Sequence, residues 1–200
     1  MRTIPTFDFE ELLLREGIKY VAGVDEAGRG PVAGPVTAAA VILPLGALAN
    51  NIRDSKQLSE CRREEVGILI RECAVDFAVA HVDHGTIDSI NILNATRDAV
   101  KKCVDSLKVK PEVILIDGKF LNLKDRMCIS VVKGDAHVSS IAAASILAKT
   151  ARDALMREYA EEFPQYRFDR NKGYLTDEHL QAIRNHGFSP IHRRSFSIQL

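Results

Sequence analysis

The chain has 200 residues, 46% hydrophobic and 27% charged, and its 27 Lys and Arg balance 27 Asp and Glu for a formal net charge of zero. That length predicts one domain, residues 1–200, with enough apolar content for a sizeable core, and zero net charge argues against a generic nucleic-acid coat protein. No apolar run approaches the roughly 18 residues of a membrane span, residues 1–16 lack the pattern of a secretory signal, and four widely spaced cysteines read as reduced thiols of a cytoplasmic protein.

Residues 20–25 and 36–43 read as strands on either side of a Gly/Pro-rich turn. Ser59 caps a helix running to about Cys73, with Glu60 in its first turn. Residues 74–82 alternate as a third strand, with Val75, Phe77 and Val79 on one face. After a loop at His84-Gly85, residues 90–107 carry a helical rhythm at Ile90, Leu93, Val100, Val104 and Leu107. The nearly all-apolar run from Val113 to Asp117 predicts a central strand buried on both faces, and residues 127–132 follow as another strand. A long helix is expected over about 138–163, stopped by Pro164, and a last one over 176–186, closed by Gly187. The order β-β-α-β-α-β-β-α-α predicts an α/β fold, a mixed five-stranded sheet flanked by helices with a C-terminal helical segment.

Three strand ends carry acids: Asp25-Glu26, Asp117 and Asp135. Functional groups in such sheets gather outside the carboxyl ends of central strands. Four carboxylates brought together would repel one another unless divalent cations neutralised them, and an oxygen-only ligand set suits Mg²⁺ or Mn²⁺. Two such ions about 3.5–4 Å apart can activate water and stabilise a leaving oxygen in phosphodiester hydrolysis. Any single Asp here equally suits a turn or cap, Asp135 most of all. Neighbouring strand residues also point to opposite faces, so Asp25 and Glu26 are expected to share a site only if the pleat breaks at Glu26. The Gly28-Arg29-Gly30 turn lets backbone N–H groups approach a ligand closely. From residue 165 onward six Lys or Arg stand against three acids, which fits a basic binding face or a solvated surface. Lys56, Arg193 and Arg194 are candidates for phosphate contacts that set register without reading sequence.

The stretch from Gly23 to Val36, Gly-Val-Asp-Glu-Ala-Gly-Arg-Gly-Pro-Val-Ala-Gly-Pro-Val, closely resembles the first motif of the type 2 ribonucleases H, the bacterial ribonuclease HII branch in particular. Further motifs follow in that family's order: Asp54-Ser-Lys-Gln-Leu-Ser59, Asn91-Ile-Leu93, Leu115-Ile-Asp-Gly118 and Val132-Lys-Gly-Asp135. After them come Ala143-Ala-Ser-Ile-Leu-Ala-Lys149 with Arg152-Asp153, Lys172-Gly-Tyr174 and His192-Arg-Arg-Ser-Phe196, so the resemblance spans about residues 19–197.

The resemblance implies a ribonuclease H-like fold with Asp25, Glu26, Asp117 and Asp135 as catalytic, metal-binding acids holding two Mg²⁺ or Mn²⁺ ions. It implies that the backbone of Gly28, Arg29 and Gly30 reads the 2′-OH at an RNA–DNA junction, and that Tyr174 stacks on the sugar of the following deoxynucleotide. The implied activity is endonucleolytic cleavage of the RNA strand of RNA–DNA hybrids and 5′ of single ribonucleotides in duplex DNA, giving 3′-OH and 5′-phosphate ends. Departures from the family pattern are Val32, Gln57 and Asn171, the last in place of a histidine, which puts one substrate contact in doubt. No interface motif stands out, so a monomer is the default expectation, and contact with a replication clamp or polymerase is left open.

Rival functions fit less well. Gly28-Arg-Gly-Pro-Val-Ala33 matches a dinucleotide-binding G-x-G-x-x-A, but Pro31 and Pro35 interrupt the helix that fingerprint must open, and Asp25 and Glu26 would repel a pyrophosphate. A non-catalytic nucleic-acid binder would gain nothing from collecting four acids. Another nuclease of the same fold would not need the Gly-Arg-Gly and Lys-Gly-Tyr motifs.

Overall fold

A computed structural model of the chain describes residues 4–48, 58–118 and 123–198. Helix α1 (Asp8–Arg15) precedes strands β1 (Val21–Ala27) and β2 (Val36–Ile42). Helix α2 (Glu60–Cys73), strand β3 (Asp76–Val82) and helix α3 (His84–Asp105) follow, then strands β4 (Val113–Asp117) and β5 (Cys128–Val131). The short helix α4 (Gly134–His137) leads into the long α5 (Ser139–Glu162). A 3-10 turn (Pro164–Tyr166) and helices α6 (Phe168–Asn171) and α7 (Asp177–His186) complete the chain. The sheet order is β3-β2-β1-β4-β5. β2 pairs antiparallel with both β1 and β3, whereas β1–β4 and β4–β5 are parallel. The mixed five-stranded sheet expected from the sequence is therefore present.

The apolar run of β4 is buried from both sides: Ile114 and Ile116 join the core under α3, and Val113 and Leu115 pack with Ile141 of α5. Each such side chain, fully buried, contributes about 1.5–3 kcal/mol. On the α5 face small residues let helix and sheet approach closely, with Ala142, Ala143, Ala144 and Ala148 gathered against Ala39 and Val41 of β2. The closest approach is at Gly23, where a Cβ would lie 2.1 Å from the carbonyl carbon of Ser140. A separate apolar cluster, including Met156, Tyr166, Phe168, Ile183 and Ile191, binds the C-terminal helices to the end of α5.

Three local features depart from the sequence expectation. Helix α1 was not anticipated; its Glu10 is buried and accepts the Ser140 N–H at 3.0 Å, satisfying a first-turn donor of α5. Helix α3 starts at His84 rather than residue 90, because Asp83 caps it by accepting the Thr86 N–H at 2.7 Å. It then kinks at Asn91 (φ 65°), whose Oδ1 accepts the Asn94 N–H at 3.1 Å and restarts the helix. The β1–β2 ladder also continues through Glu26↔Ala38 and Ala27↔Thr37. The expected break of pairing at Glu26 is thus absent. Among the described residues no helix is long and apolar enough to cross a membrane.

Candidate active site

β1 and β4 are parallel neighbours whose register sets Val24 beside Ile116, so the next residues, Asp25 and Asp117, stand together near the carboxyl ends of the two strands. Glu26 lines the same cavity as these two, a space of about 300 Å³, even though strand pairing is regular. The ladder to β4 ends at Val24, so Glu26 borders the cavity on that side while it stays paired with Ala38 of β2. Asp117 Oδ1 accepts the Gly134 N–H at 2.6 Å, tying the end of β4 to the turn that carries Asp135. Asp135 itself is buried on α4 and does not line the cavity.

Asp25 is 6% exposed. Burial pushes its carboxyl well above the usual range; the charges of Glu26 and Asp117 push the same way, while a hydrogen bond from Ser145 opposes them. Burial likewise raises Glu26, against the pull of Arg29, whose Nη1 donates to Glu26 Oε1 at 3.0 Å. The other oxygen, Glu26 Oε2, is buried and has no hydrogen-bond partner among the described residues. A buried carboxylate oxygen without a donor is costly, and a hard cation is the partner it suits. Among the described residues no group of three or more His, Cys, Asp or Glu stands close enough to cage an ion. The oxygen-only donors present suit a hard divalent cation completed by water and phosphate oxygens.

Cations line the same cavity, Arg63, Lys149 and Arg152 among them. Lys149 Nζ lies 2.5 Å from Asp153 Oδ1, and the buried Asp153 is also 3.5 Å from Arg63 Nη1. Burial lowers the Lys149 ammonium below its ordinary value. Ser145, Lys149, Arg152 and Arg63 were missed as cavity residues by sequence reasoning, although all but Arg63 fall in quoted motifs. Their helical spacing shows a face but not what that face meets.

The Gly28–Gly30 turn also lines the cavity. Gly28 has φ +93°, and a Cβ there would lie 2.1 Å from Arg152 Nε, so both conformation and space demand glycine. Arg193 holds the turn from beneath. Its Nη2 donates to the Gly28 carbonyl (2.6 Å), Nη1 to those of Arg29 (3.1 Å) and Pro31 (2.7 Å), and Nε to that of Gly34 (2.9 Å). Arg152 does the same for Ala33, Pro35 and Lys172. Burial lowers Arg193 to about 9 and Arg152 to about 10, which leaves both protonated at neutral pH.

The expectation that Arg193 contacts a phosphate is corrected by this geometry: its side chain is 0% exposed and committed to backbone carbonyls. Arg194 is exposed, stacked over the Phe188 ring at 4.5 Å, and lies outside the cavity lining. Lys56 falls outside the described residues. Asn171 is buried at the end of α6, donating to the Tyr166 carbonyl (2.7 Å) and accepting the Gly173 N–H (2.8 Å). Tyr174 is 48% exposed at the cavity rim, its ring 3.5 Å from where a Cβ on Gly30 would stand.

A family model described as Ribonuclease HII matches residues 22–199. A ribonuclease HII from Pelodictyon phaeoclathratiforme is 52% identical over 185 residues, 90% of each chain. Among solved structures, ribonuclease H2 from Pyrococcus horikoshii superposes with a TM-score of 0.75 at 28% identity, covering 89% of this chain and 94% of that one. Ribonuclease HII from Archaeoglobus fulgidus, solved in complex with PCNA, gives 0.77 at 25% identity over 91% and 97%. With acids at adjoining strand ends, a glycine turn beneath them and these relatives over nearly its whole length, the chain belongs to the ribonuclease HII family, endonucleases of the ribonuclease H type that cleave the RNA strand of RNA–DNA hybrids.

Proposed function

We propose that this chain cuts on the 5′ side of a ribonucleotide, both in RNA–DNA hybrids and where a single ribonucleotide lies in duplex DNA, leaving 3′-OH and 5′-phosphate ends. The observation that carries the proposal is the meeting of three carboxylates, one with an orphaned oxygen, beside a glycine turn exposed at Arg29 and Gly30 and an exposed tyrosine. Asp25, Glu26 and Asp117, with Asp135 held beside them by the Gly134–Asp117 bond, would hold two Mg²⁺ or Mn²⁺ ions. Such ions would supply an activated water and stabilise the charge developing on the 3′-oxygen. Ser145 holds the Asp25 carboxylate by a hydrogen bond, and Arg29 holds that of Glu26.

The backbone at Gly28, Arg29 and Gly30 reads the 2′-OH, a group that donates and accepts and marks RNA against DNA. Tyr174 packs on the next sugar, where an added 2′-OH would disturb the contact. Arg194 and Lys56 contact phosphates without reading sequence. One copy of the chain supplies all of these groups, so a monomer acts.

The test is cleavage of an end-labelled DNA duplex carrying one ribonucleotide, with Mg²⁺, with Mn²⁺ and with EDTA, beside an all-DNA control. A metal-dependent cut immediately 5′ of the ribonucleotide, with the control intact, is the expected result. Cleavage of continuous hybrids alone would overturn the single-ribonucleotide activity, and cleavage in EDTA would overturn the role of the acids.

A further inference from the structure

Tyr174 is held by a hydrogen-bond chain that the reaction itself does not use. The Ser189 backbone N–H, which can only donate, lies 2.9 Å from His192 Nδ1, so that nitrogen accepts and the ring proton sits on Nε2. The Ser189 hydroxyl stands 2.7 Å from the same Nδ1. His192 Nε2 is 3.0 Å from His179 Nε2, which must therefore accept and leave its own proton on Nδ1. His179 Nδ1 then donates over 2.8 Å to the Tyr174 carbonyl oxygen, which can only accept. Each link fixes the next, so the chain runs in one direction and allows one neutral tautomer per ring.

Both rings are buried, His179 at 0% and His192 at 1% exposure. Tyr166 and Phe168 pack edgewise or tilted against both, and Phe188 against His192. The other titratable groups facing the pair are Arg194 and His84, and burial pulls both imidazoles down, His192 to about 4. The backbone of His192 is also bridged to Ala33, in the loop that carries Gly28–Gly30. Its main chain thus holds one half of the site while its side chain, through His179, holds the other. The Tyr174 carbonyl accepts one further bond, from the Thr176 N–H at 2.9 Å, and the Tyr174 N–H donates to Asn171 at the same distance.

We propose that His179 and His192 are positioning residues that set Tyr174 against the Gly28–Gly30 turn, and so set the preference for a single ribonucleotide in DNA over continuous RNA. The proposal rests on the role given to Tyr174 above. The experiment compares kcat and KM on those two substrates for the wild type and for Tyr174→Ala, His179→Leu and His179→Asn. Losing the His179 bond is expected to lower the kcat/KM preference about fivefold to tenfold. His179→Asn, whose amide nitrogen takes the place of Nδ1, restores most of it.

Equal loss on both substrates in His179→Leu, or no rescue by His179→Asn, would overturn the proposal. A preference unchanged in Tyr174→Ala would overturn the role of Tyr174 first, and this inference with it. A preference lost in Tyr174→Ala but kept in His179→Leu would overturn the positioning role alone. Imidazole ¹⁵N NMR of the wild-type protein keeps the test independent of variant folding. Neutral His192 protonated on Nε2 and His179 on Nδ1 are expected, and any other tautomer, or a charged ring at neutral pH, breaks the chain.

Discussion

Glu26 and Arg193 both bond to the same turn, and both are charged residues withdrawn from water. Arg193 is surrounded by acceptors: four carbonyls of the turn take its donors, and the Phe196 ring lies 5.0 Å from its guanidinium. Glu26 keeps one oxygen buried and unmatched, and together with Asp117 it stands close enough to raise the pKa of Asp25. A buried charge whose hydrogen bonds are complete is a fastening, and it stabilises a loop conformation. A buried charge left incomplete has a free-energy cost that a ligand can relieve. The turn they share joins a rigid support to a site prepared for cations.

The sharpest way to break this contrast is to remove charge from the acidic side alone. Asp117→Asn keeps an oxygen to accept the Gly134 N–H, so the fold is expected to survive with an unchanged unfolding midpoint. Metal-dependent cleavage should fall by at least about a thousandfold; near-normal turnover would remove Asp117 from the catalytic set. On the supporting side, Arg193→Met strands four carbonyls and is expected to cost about 3 kcal/mol or more in urea unfolding. A variant of unchanged stability whose binding loses about one phosphate's worth of salt dependence would return Arg193 to direct phosphate contact.

The two sides should also titrate in opposite senses. His192 is lowered from 6.5 to about 4 in the fold, so the unfolded chain binds the proton more readily between those values. Stability that is complete above pH 6.5 is therefore lost as pH falls toward 4, by roughly 3 kcal/mol, and His192→Asn should flatten that slope. Asp25 is raised, so its protonation stabilises the fold, and the gain disappears as pH rises through its folded value. Accordingly Asp25→Asn is the smallest effect expected, a gain of about 1–2 kcal/mol at neutral pH in an inactive protein. Destabilisation at neutral pH would show that the acid cluster is a structural network rather than a cost.

The strands, and the acids at the ends of β1 and β4, were legible because a two-residue rhythm and an all-apolar run are local signals; Asp135 lies on α4 instead of a strand end. Helix α1 escaped although its eight residues are clearly amphipathic, since its buried anchor, Glu10 on Ser140, lies 130 positions away. The true start of α3 had a local signal, Asp83 three residues before Thr86, which the glycine at 85 obscured. Arg193 misled for a general reason: arginine is seldom buried, and nothing near it in sequence reveals four carbonyls from residues 28–34. Asp88 gave no warning either, yet it accepts the Arg194 and Ser195 N–H groups and the Ser195 hydroxyl, fixing the strap that carries Arg193.

Gly23 acts as a hard stop between sheet and helix. Its missing side chain lets β1 rest directly on the backbone of α5 at Ser140. Asp25 lies two residues further along the strand and Ser145 five further along the helix, each roughly 7 Å from the contact. With lever arms that short, small tilts of α5 hardly alter the meeting of hydroxyl and carboxylate. A methyl group at position 23 would act as a shim, lifting the helix and opening that meeting while every polar residue of the cavity stayed in place.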